Sequence, residues 1–238
     1  MMWVFDLDDT LYLRSEPYLR AFHSLFPGVS LDENELIRTA RHYDAESFDR
    51  YSHGLITIER MYIERVRDTF AVFGVQLSDE EAEAFQAQYS ANMRSIILQP
   101  GFREIILWGQ KHGVRMGILS NGPSKRQRVK ITALGLYEFF EEKEILVSDD
   151  IGVNKPALAV FREYEKRTGE KPENLWMIGD SYSSDIEGSL KAGWHAVWVK
   201  RDFLDNPSPA EYIPDMSSSD EKEIFRFLRE TVKENTLP

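Results

Sequence analysis

Five short apolar runs punctuate the chain: Met2 to Phe5, Met116 to Leu119, Glu144 to Val147, Leu175 to Ile178 and Ala196 to Val199. They are continuous rather than alternating, as expected of strands covered on both faces in a parallel sheet. The last four are separated by segments with helical periodicity, Ser124 to Leu134, Ala157 to Thr168 and Ser184 to Ala192. Strand, helix and strand repeated in this way predict an α/β fold with a doubly wound parallel sheet.

More than a hundred residues separate the first run from the second, where one crossover helix would be enough, and no ordinary loop is that long. Asp32 to Glu35 and Ser78 to Glu81 both have the form of capping boxes. Ile58, Met61, Tyr62, Val66, Phe70 and Phe73 form one apolar stripe at helical spacing, and Phe85, Tyr89, Met93 and Ile96 form another. Residues 14–97 are therefore expected to be an inserted helical bundle, with Pro100-Gly101 marking the return to a core made of residues 1–13 and 98–238. A Pro-, Ser- and Asp-rich stretch follows Val199. A final helix from about Asp220 to Glu234 then docks Ile224, Phe225 and Leu228 on the sheet.

Composition narrows the class. A chain of 238 residues with 42% hydrophobic and 29% charged residues can bury a sizeable core. It has no apolar run near the ~18 residues of a membrane span and no leader-like N-terminus, so a cytoplasmic protein without membrane partners is expected. A formal charge of −11 argues against a nucleic acid polymer as partner. It leaves a small anion open, because distant carboxylates are screened beyond ~8 Å at physiological salt. The absence of cysteine excludes disulfides and thiolate metal sites.

Ligands of open α/β sheets bind outside the carboxyl ends of the strands. There the chain places Asp6, Asp8, Asp9 and Thr10 after the first run, Ser120-Asn121-Gly122 after the second, Lys155-Pro156 beyond the third, and Gly179-Asp180 with Asp185 after the fourth. Each has a plainer explanation. The acidic cluster suits a solvated turn, Asn121-Gly122 a hairpin, and Lys155 a surface position before a helix with proline at its first residue. Asp180, Ser181 and Ser183 suit helix N-caps. Their coincidence at one rim is what requires a common purpose.

The order D-x-D-x-T, Ser-Asn, Lys-Pro and G-D-x-x-x-x-D resembles the haloacid dehalogenase-like (HAD) hydrolases, over residues 1 to 13 and 98 to 235. The resemblance implies a Rossmann-like core with a helical cap, and a Mg²⁺-dependent phosphatase acting through an aspartyl-phosphate. In that scheme Asp6 is the nucleophile, and a covalent intermediate splits one hard step into two. Asp6, the Asp8 carbonyl and Asp180 hold the metal, and Asp185 holds a metal-bound water or orients Lys155. The Asp8 side chain acts as general acid and then base, a role calling for a raised pKa. Ser120 and the amides of Asn121 and Gly122 grip the phosphoryl group, Lys155 neutralises it, and Thr10 steadies the loop. Asp9 departs from the glycine common at its position and is taken as a variant turn residue.

The inserted bundle corresponds to the family's cap. Asp8 argues against a dehalogenase, which has no leaving alkoxide to protonate. A phosphonatase needs a cap lysine, and the first lysine of this chain is Lys111. Arg14, Arg41, His42, His53 and Arg60, among Tyr43, Phe48 and Tyr51, would suit a planar base or a sugar ring, although core aromatics and solvated arginines explain them as well. The stretch YSHGLITIERMYIERV is similar to nucleotidase-like members. The expected substrate is a small phosphorylated metabolite such as a nucleoside 5′-monophosphate, handled by a monomer or homodimer. The competing readings are a sugar phosphomutase of the same superfamily and a non-catalytic phosphate-sensing protein.

Overall fold

The four residues Met2–Phe5 face two ways. Met2 and Val4 join Leu119, Leu146, Phe161, Tyr164, Met177 and Trp194 in one buried layer. Trp3 stacks on Trp108, and Phe5 meets Phe102 edge-on, in the opposite layer. A strand with apolar residues on both faces must lie inside a two-sided sheet, as its uninterrupted hydrophobicity predicts.

The structure is a computed structural model and describes residues 1–201 and 211–236. Along the chain run β1 (Met2–Phe5), α1 (Ser15–Leu25), α2 (Glu33–Ser52), α3 (Ile58–Val72), α4 (Asp79–Asn92) and α5 (Pro100–Lys111). Next come β2 (Arg115–Ser120), α6 (Ser124–Ala133), β3 (Ile145–Val147), α7 (Leu158–Thr168) and β4 (Leu175–Gly179). α8 (Gly188–Lys191), β5 (His195–Val199), β6 (Met216–Ser218) and α9 (Glu221–Thr236) complete it. Packing divides the described chain into two units, one of residues 1–13, 96–201 and 211–236, the other of residues 14–95.

The first unit holds a six-stranded sheet in the order β3-β2-β1-β4-β5-β6, parallel throughout. The fold class is thus α/β with a parallel sheet. β6 has no counterpart among the apolar runs: Met216-Ser217-Ser218 is a short edge strand with two serines, paired by register with Val197 to Val199. The helix expected from Ser184 is also different. A π-helical turn occupies Tyr182–Glu187 and only then narrows into α8. Such turns recur at functional sites, where the wider coil re-aims side chains. The proline-rich stretch after Val199 falls mostly on residues 202–210, outside the described residues.

The second unit is helical. α2 packs on α3, α3 on α4, and α1 on α4. Phe22, Phe26, Phe70 and Phe85 form its aromatic centre together with Tyr18 and Tyr89. Ser78 and Glu81 make the reciprocal capping box, while Asp32 is the N-cap of α2, accepting from the Glu35 amide. Polar groups also enter this core. Arg65, buried on α3, donates to Asp44 and, at 2.5 Å, to Gln86 Oε1, and Arg14 binds the same Asp44 carboxylate. Burial raises the Asp44 carboxyl, but Arg14 and Arg65, with Arg41, outweigh it and hold the group well below the usual carboxylate range.

Candidate active site

Because every strand is parallel, all carboxyl ends lie on one rim, and β1 sits where the chain order reverses between β2 and β4, the usual ligand crevice of such sheets. β1 ends at Phe5, so Asp6 and Asp8 stand just beyond the ladder. The amide of Asp6 still donates to Ile178 O at 2.9 Å and keeps the two carboxylates in an extended frame. Leu7 is fully buried between them, as side-chain alternation requires.

Lys155 is the hub. Its ammonium donates to Asp6 Oδ1 and to the Leu119 carbonyl, each at 2.7 Å, and forms an ion pair with Asp185 Oδ1 at 2.7 Å. It is 3% exposed. Burial alone would lower its pKa, but Asp185 and Asp6 raise it above the ordinary lysine value. The Asn121 side chain holds the Lys155 backbone at both ends: Nδ2 donates to Lys155 O, and Oδ1 accepts from Lys155 N, each at 2.9 Å. Pro156 is not the first residue of a helix, since α7 begins at Leu158 after its N-cap Ala157.

Asp6, Asp180 and Asp185 each offer a carboxylate oxygen, and these oxygens lie within 4.8 Å of one another. With Lys155 among them, three carboxylates and one ammonium leave an excess of two negative charges in a buried place. Burial, aided by Asp185 and Asp8, pushes the Asp6 carboxyl up to about 7 against the pull of Lys155. Asp180 is raised well above the usual carboxylate range by burial and by Asp9, Asp6 and Asp185, against a hydrogen bond from Thr10. Sites of this kind gain most from a hard divalent cation, which takes oxygen ligands. The residues therefore fit Mg²⁺, and these three carboxylates would hold it. The Asp8 side chain is not in the cluster, which leaves its carbonyl as its only route to a metal.

The neighbouring groups fix these carboxylates. Thr10 Oγ1 donates to Asp180 Oδ1 at 2.9 Å, and the Ser181 amide donates to Asp185 Oδ2 at 3.0 Å. Ser181 also caps the π turn by accepting from the Ser184 amide, so the capping explanation holds for Ser181, whereas Asp180 points to Thr10. A Cβ on Gly179 would lie 2.3 Å from Asp185 Oδ2, so only glycine leaves room for that carboxylate. Asp9 has φ of 62°, the left-handed region where glycine costs nothing. Arg201 steadies this turn, donating from Nε to Asp9 O at 2.6 Å and from an Nη to Thr10 O at 2.9 Å.

Two groups with expected roles have protein partners in this structure. The Gly122 amide, expected to face a phosphoryl group, donates to Ser148 Oγ at 3.1 Å. The Asp8 carboxylate, expected to stand as an acid, is wrapped by donors: Tyr12 Oη, Gln127 Nε2 at 2.9 Å, and Lys130 Nζ at 2.7 Å from each oxygen. Gln127 Nε2 is also 2.7 Å from Ser120 Oγ and 2.8 Å from Asn121 O. Asn121-Gly122 leads into α6, not into a hairpin. Gln127, Lys130, Tyr12, Arg201 and Ser148 were not anticipated. The first two left a signal: Gln127 and Lys130 occupy the same helical face as Ile131 and Leu134, and polar residues at buried positions need partners.

The sequence profile of the haloacid dehalogenase-like hydrolases matches residues 3–193. The chain belongs to that family. Among curated relatives of this HAD-like hydrolase, the glyceraldehyde 3-phosphate phosphatase of Methanothermobacter thermautotrophicus is 26% identical, with 84% of this chain and 86% of the relative aligned. The phosphoserine phosphatase of Thermus thermophilus is 30% identical over 61% of this chain and 57% of its own length. The HAD-hydrolase YfnB of Bacillus subtilis, crystallised with magnesium, shares the fold with a TM-score of 0.74 at 24% identity, over 95% of this chain and 97% of that one. The L-2-haloacid dehalogenase RSc1362 shares it with a TM-score of 0.77 at 19% identity, over 96% and 98%. At these identities the two structures speak for the fold alone.

The cap residues with aromatic neighbours have partners inside the helical unit. Arg14 pairs with Asp44, Arg60 with Glu64 and Asp79, His42 with Glu46, and His53 with Asp49. The plainer explanation, solvated or paired charges, accounts for these four. Among the described residues no helix is long and apolar enough to cross a membrane.

Proposed function

We propose that the protein is a divalent-metal-dependent phosphatase of small phosphate monoesters, with Asp6 as nucleophile. The observation that carries this reading is the cluster of Asp6, Asp180 and Asp185, with Lys155 paired to Asp6 and Asp185 and with Asp8 two residues past Asp6. A nucleophile must be ionised, and Lys155 alone leaves the Asp6 carboxyl at about 7. Mg²⁺ at this cluster would supply the missing positive charge for the nucleophile and the phosphoryl oxygens.

A carboxylate oxygen of Asp6 attacks phosphorus, the bond from phosphorus to the ester oxygen breaks, and Asp8 gives that oxygen a proton. Water then attacks the aspartyl-phosphate, the bond to Asp6 breaks, and Asp8 takes the proton from water, releasing inorganic phosphate. Lys155 holds Asp6 in line and offsets charge on the phosphoryl oxygens, and Ser120 supplies a hydroxyl beside them. By its place in the chain, between the first and second motifs, the helical unit corresponds to the segment that selects the leaving group in this family.

The named relatives favour a phosphorylated three-carbon compound or phosphoserine over a nucleotide, and the paired cap arginines weaken the case for a nucleobase pocket. The test is phosphate release from glyceraldehyde 3-phosphate, phosphoserine, a nucleoside 5′-monophosphate and p-nitrophenyl phosphate, with Mg²⁺ and with chelator. Chelation is expected to abolish turnover, and Asp6→Asn to reduce it at least ~1000-fold in a folded protein. Turnover that survives chelation, or an active Asp6→Asn variant, would overturn the reading. Transfer of phosphate to a sugar rather than to water would mark a phosphomutase instead.

A further inference from the structure

Three donor groups make four hydrogen bonds to the Asp8 carboxyl group. Tyr12, Gln127 and Lys130 direct N–H or O–H groups at both of its oxygens. Both oxygens thus serve as acceptors in that arrangement. Lys130 is 4% exposed and Gln127 1%, so neither is a surface group that has drifted into reach. A buried ammonium is costly without a partner, and Lys130 forms an ion pair with Asp8.

The pair also has a mechanical consequence. Gln127 and Lys130 stand one turn apart on α6, the helix that begins directly after Ser120-Asn121-Gly122. The Gln127 amide nitrogen, with two N–H groups, lies within 2.9 Å of Asp8 Oδ2, Ser120 Oγ and Asn121 O. A single helix therefore contacts both the carboxyl group after β1 and the hydroxyl at the end of β2.

We infer that Lys130 and Gln127 form a clamp that fixes the Asp8 carboxylate for the half-reaction in which it takes a proton from water. Lys130 is a positioning residue, acting through Asp8 without touching substrate. The inference rests on the proposed role of Asp8, and it goes beyond it by separating the two halves of the cycle. In the second half the bond from water oxygen to phosphorus forms, the bond from phosphorus to Asp6 breaks, and the water proton passes to Asp8. Loss of the clamp should slow this half and spare the first whenever the leaving group needs no proton.

p-Nitrophenyl phosphate provides such a leaving group. With Mg²⁺ present, Lys130→Met is expected to give a burst of about one p-nitrophenolate per protein, followed by turnover reduced ~10–100-fold. Its kcat/KM should stay within ~3-fold of wild type, because that ratio reports the steps up to formation of the intermediate. Intact mass after acid quench should show phosphate retained on the protein. Asp8→Asn serves as reference and should behave in the same way more severely. If Asp8→Asn bursts while Lys130→Met turns over as wild type does, or loses kcat and kcat/KM together without a burst, the clamp is refuted and the role of Asp8 stands. If Asp8→Asn neither bursts nor slows, the role of Asp8 falls, and the clamp with it. Should Lys130→Met fail to fold, Lys130→Gln, which keeps a donor without the charge, carries the same comparison.

Discussion

Asp9 shows how one backbone angle can explain a departure from a family pattern. At φ of 62° its side chain bears strain that glycine would avoid, and its carboxylate adds to the charge that raises Asp180. Both effects predict that Asp9→Gly raises stability by about 1 kcal/mol and leaves turnover intact, as thermal melts and phosphate release can check. Gly179 is the converse. Its missing Cβ is the space Asp185 occupies, so Gly179→Ala should displace that carboxylate, weaken the grip on Lys155 and lower turnover about 100-fold. A Gly179→Ala protein with normal rates would show that Asp185 has room to move. Motif residues such as Asp6, Lys155 and Asp180 were legible because their types and order carry chemistry by themselves. Arg201 and Tyr12 were not: an arginine that supports a loop through backbone carbonyls looks like any other arginine until the loop is folded.

Among the elements, the buried ion pairs of the helical unit carry the clearest prediction. Asp44 stands between Arg14 and Arg65, and Arg65 continues to Gln86 and, through the same side-chain amide, to Ser90. Removing the negative partner leaves two guanidinium groups crowded and poorly paired, a loss of about 3 kcal/mol. Asp44→Asn should therefore lower Tm by about 6–12 °C. Because the folded carboxyl is held below its unfolded value, the pair stabilises above the ordinary carboxylate pKa, and that support is lost as pH falls through and below it. The melting temperature of wild type should fall on acidification more steeply than that of Asp44→Asn. The apolar stripes announced these helices, since Met61, Val66, Phe70, Phe85 and Tyr89 are buried as their spacing requires. β6 gave no such sign, because a three-residue edge strand with two serines has no apolar face to repeat. The π turn was equally silent, as its pattern differs from an α-helix by only one inserted residue.

For the molecule as a whole, the electrostatics of the acidic rim couple stability to pH and metal. The folded state keeps a proton on Asp6 up to about 7, whereas the unfolded chain releases it near the ordinary carboxylate value. Between those limits the folded state binds more protons, so the contribution of this group to stability declines as pH rises. A divalent cation competes with that proton. The increase in Tm on adding Mg²⁺ should be larger at pH 8 than at pH 5, and Asp180→Asn should diminish it at both. An increase of equal size at the two pH values would mean that the cation binds elsewhere.

The division between chain and fold follows from the range of the forces involved. Period, turn chemistry and the order of four polar motifs are local properties, and they were enough to specify a parallel α/β sheet, a helical insertion and the carboxylates and lysine of the rim. The partners of each group come from residues far apart in the chain. Asp6 and Lys155 are separated by 149 positions, and Asp8 and Lys130 by 122. Only packing brings α6 beneath the first loop, and only there does a lysine in a basic helix become the counter-charge of Asp8.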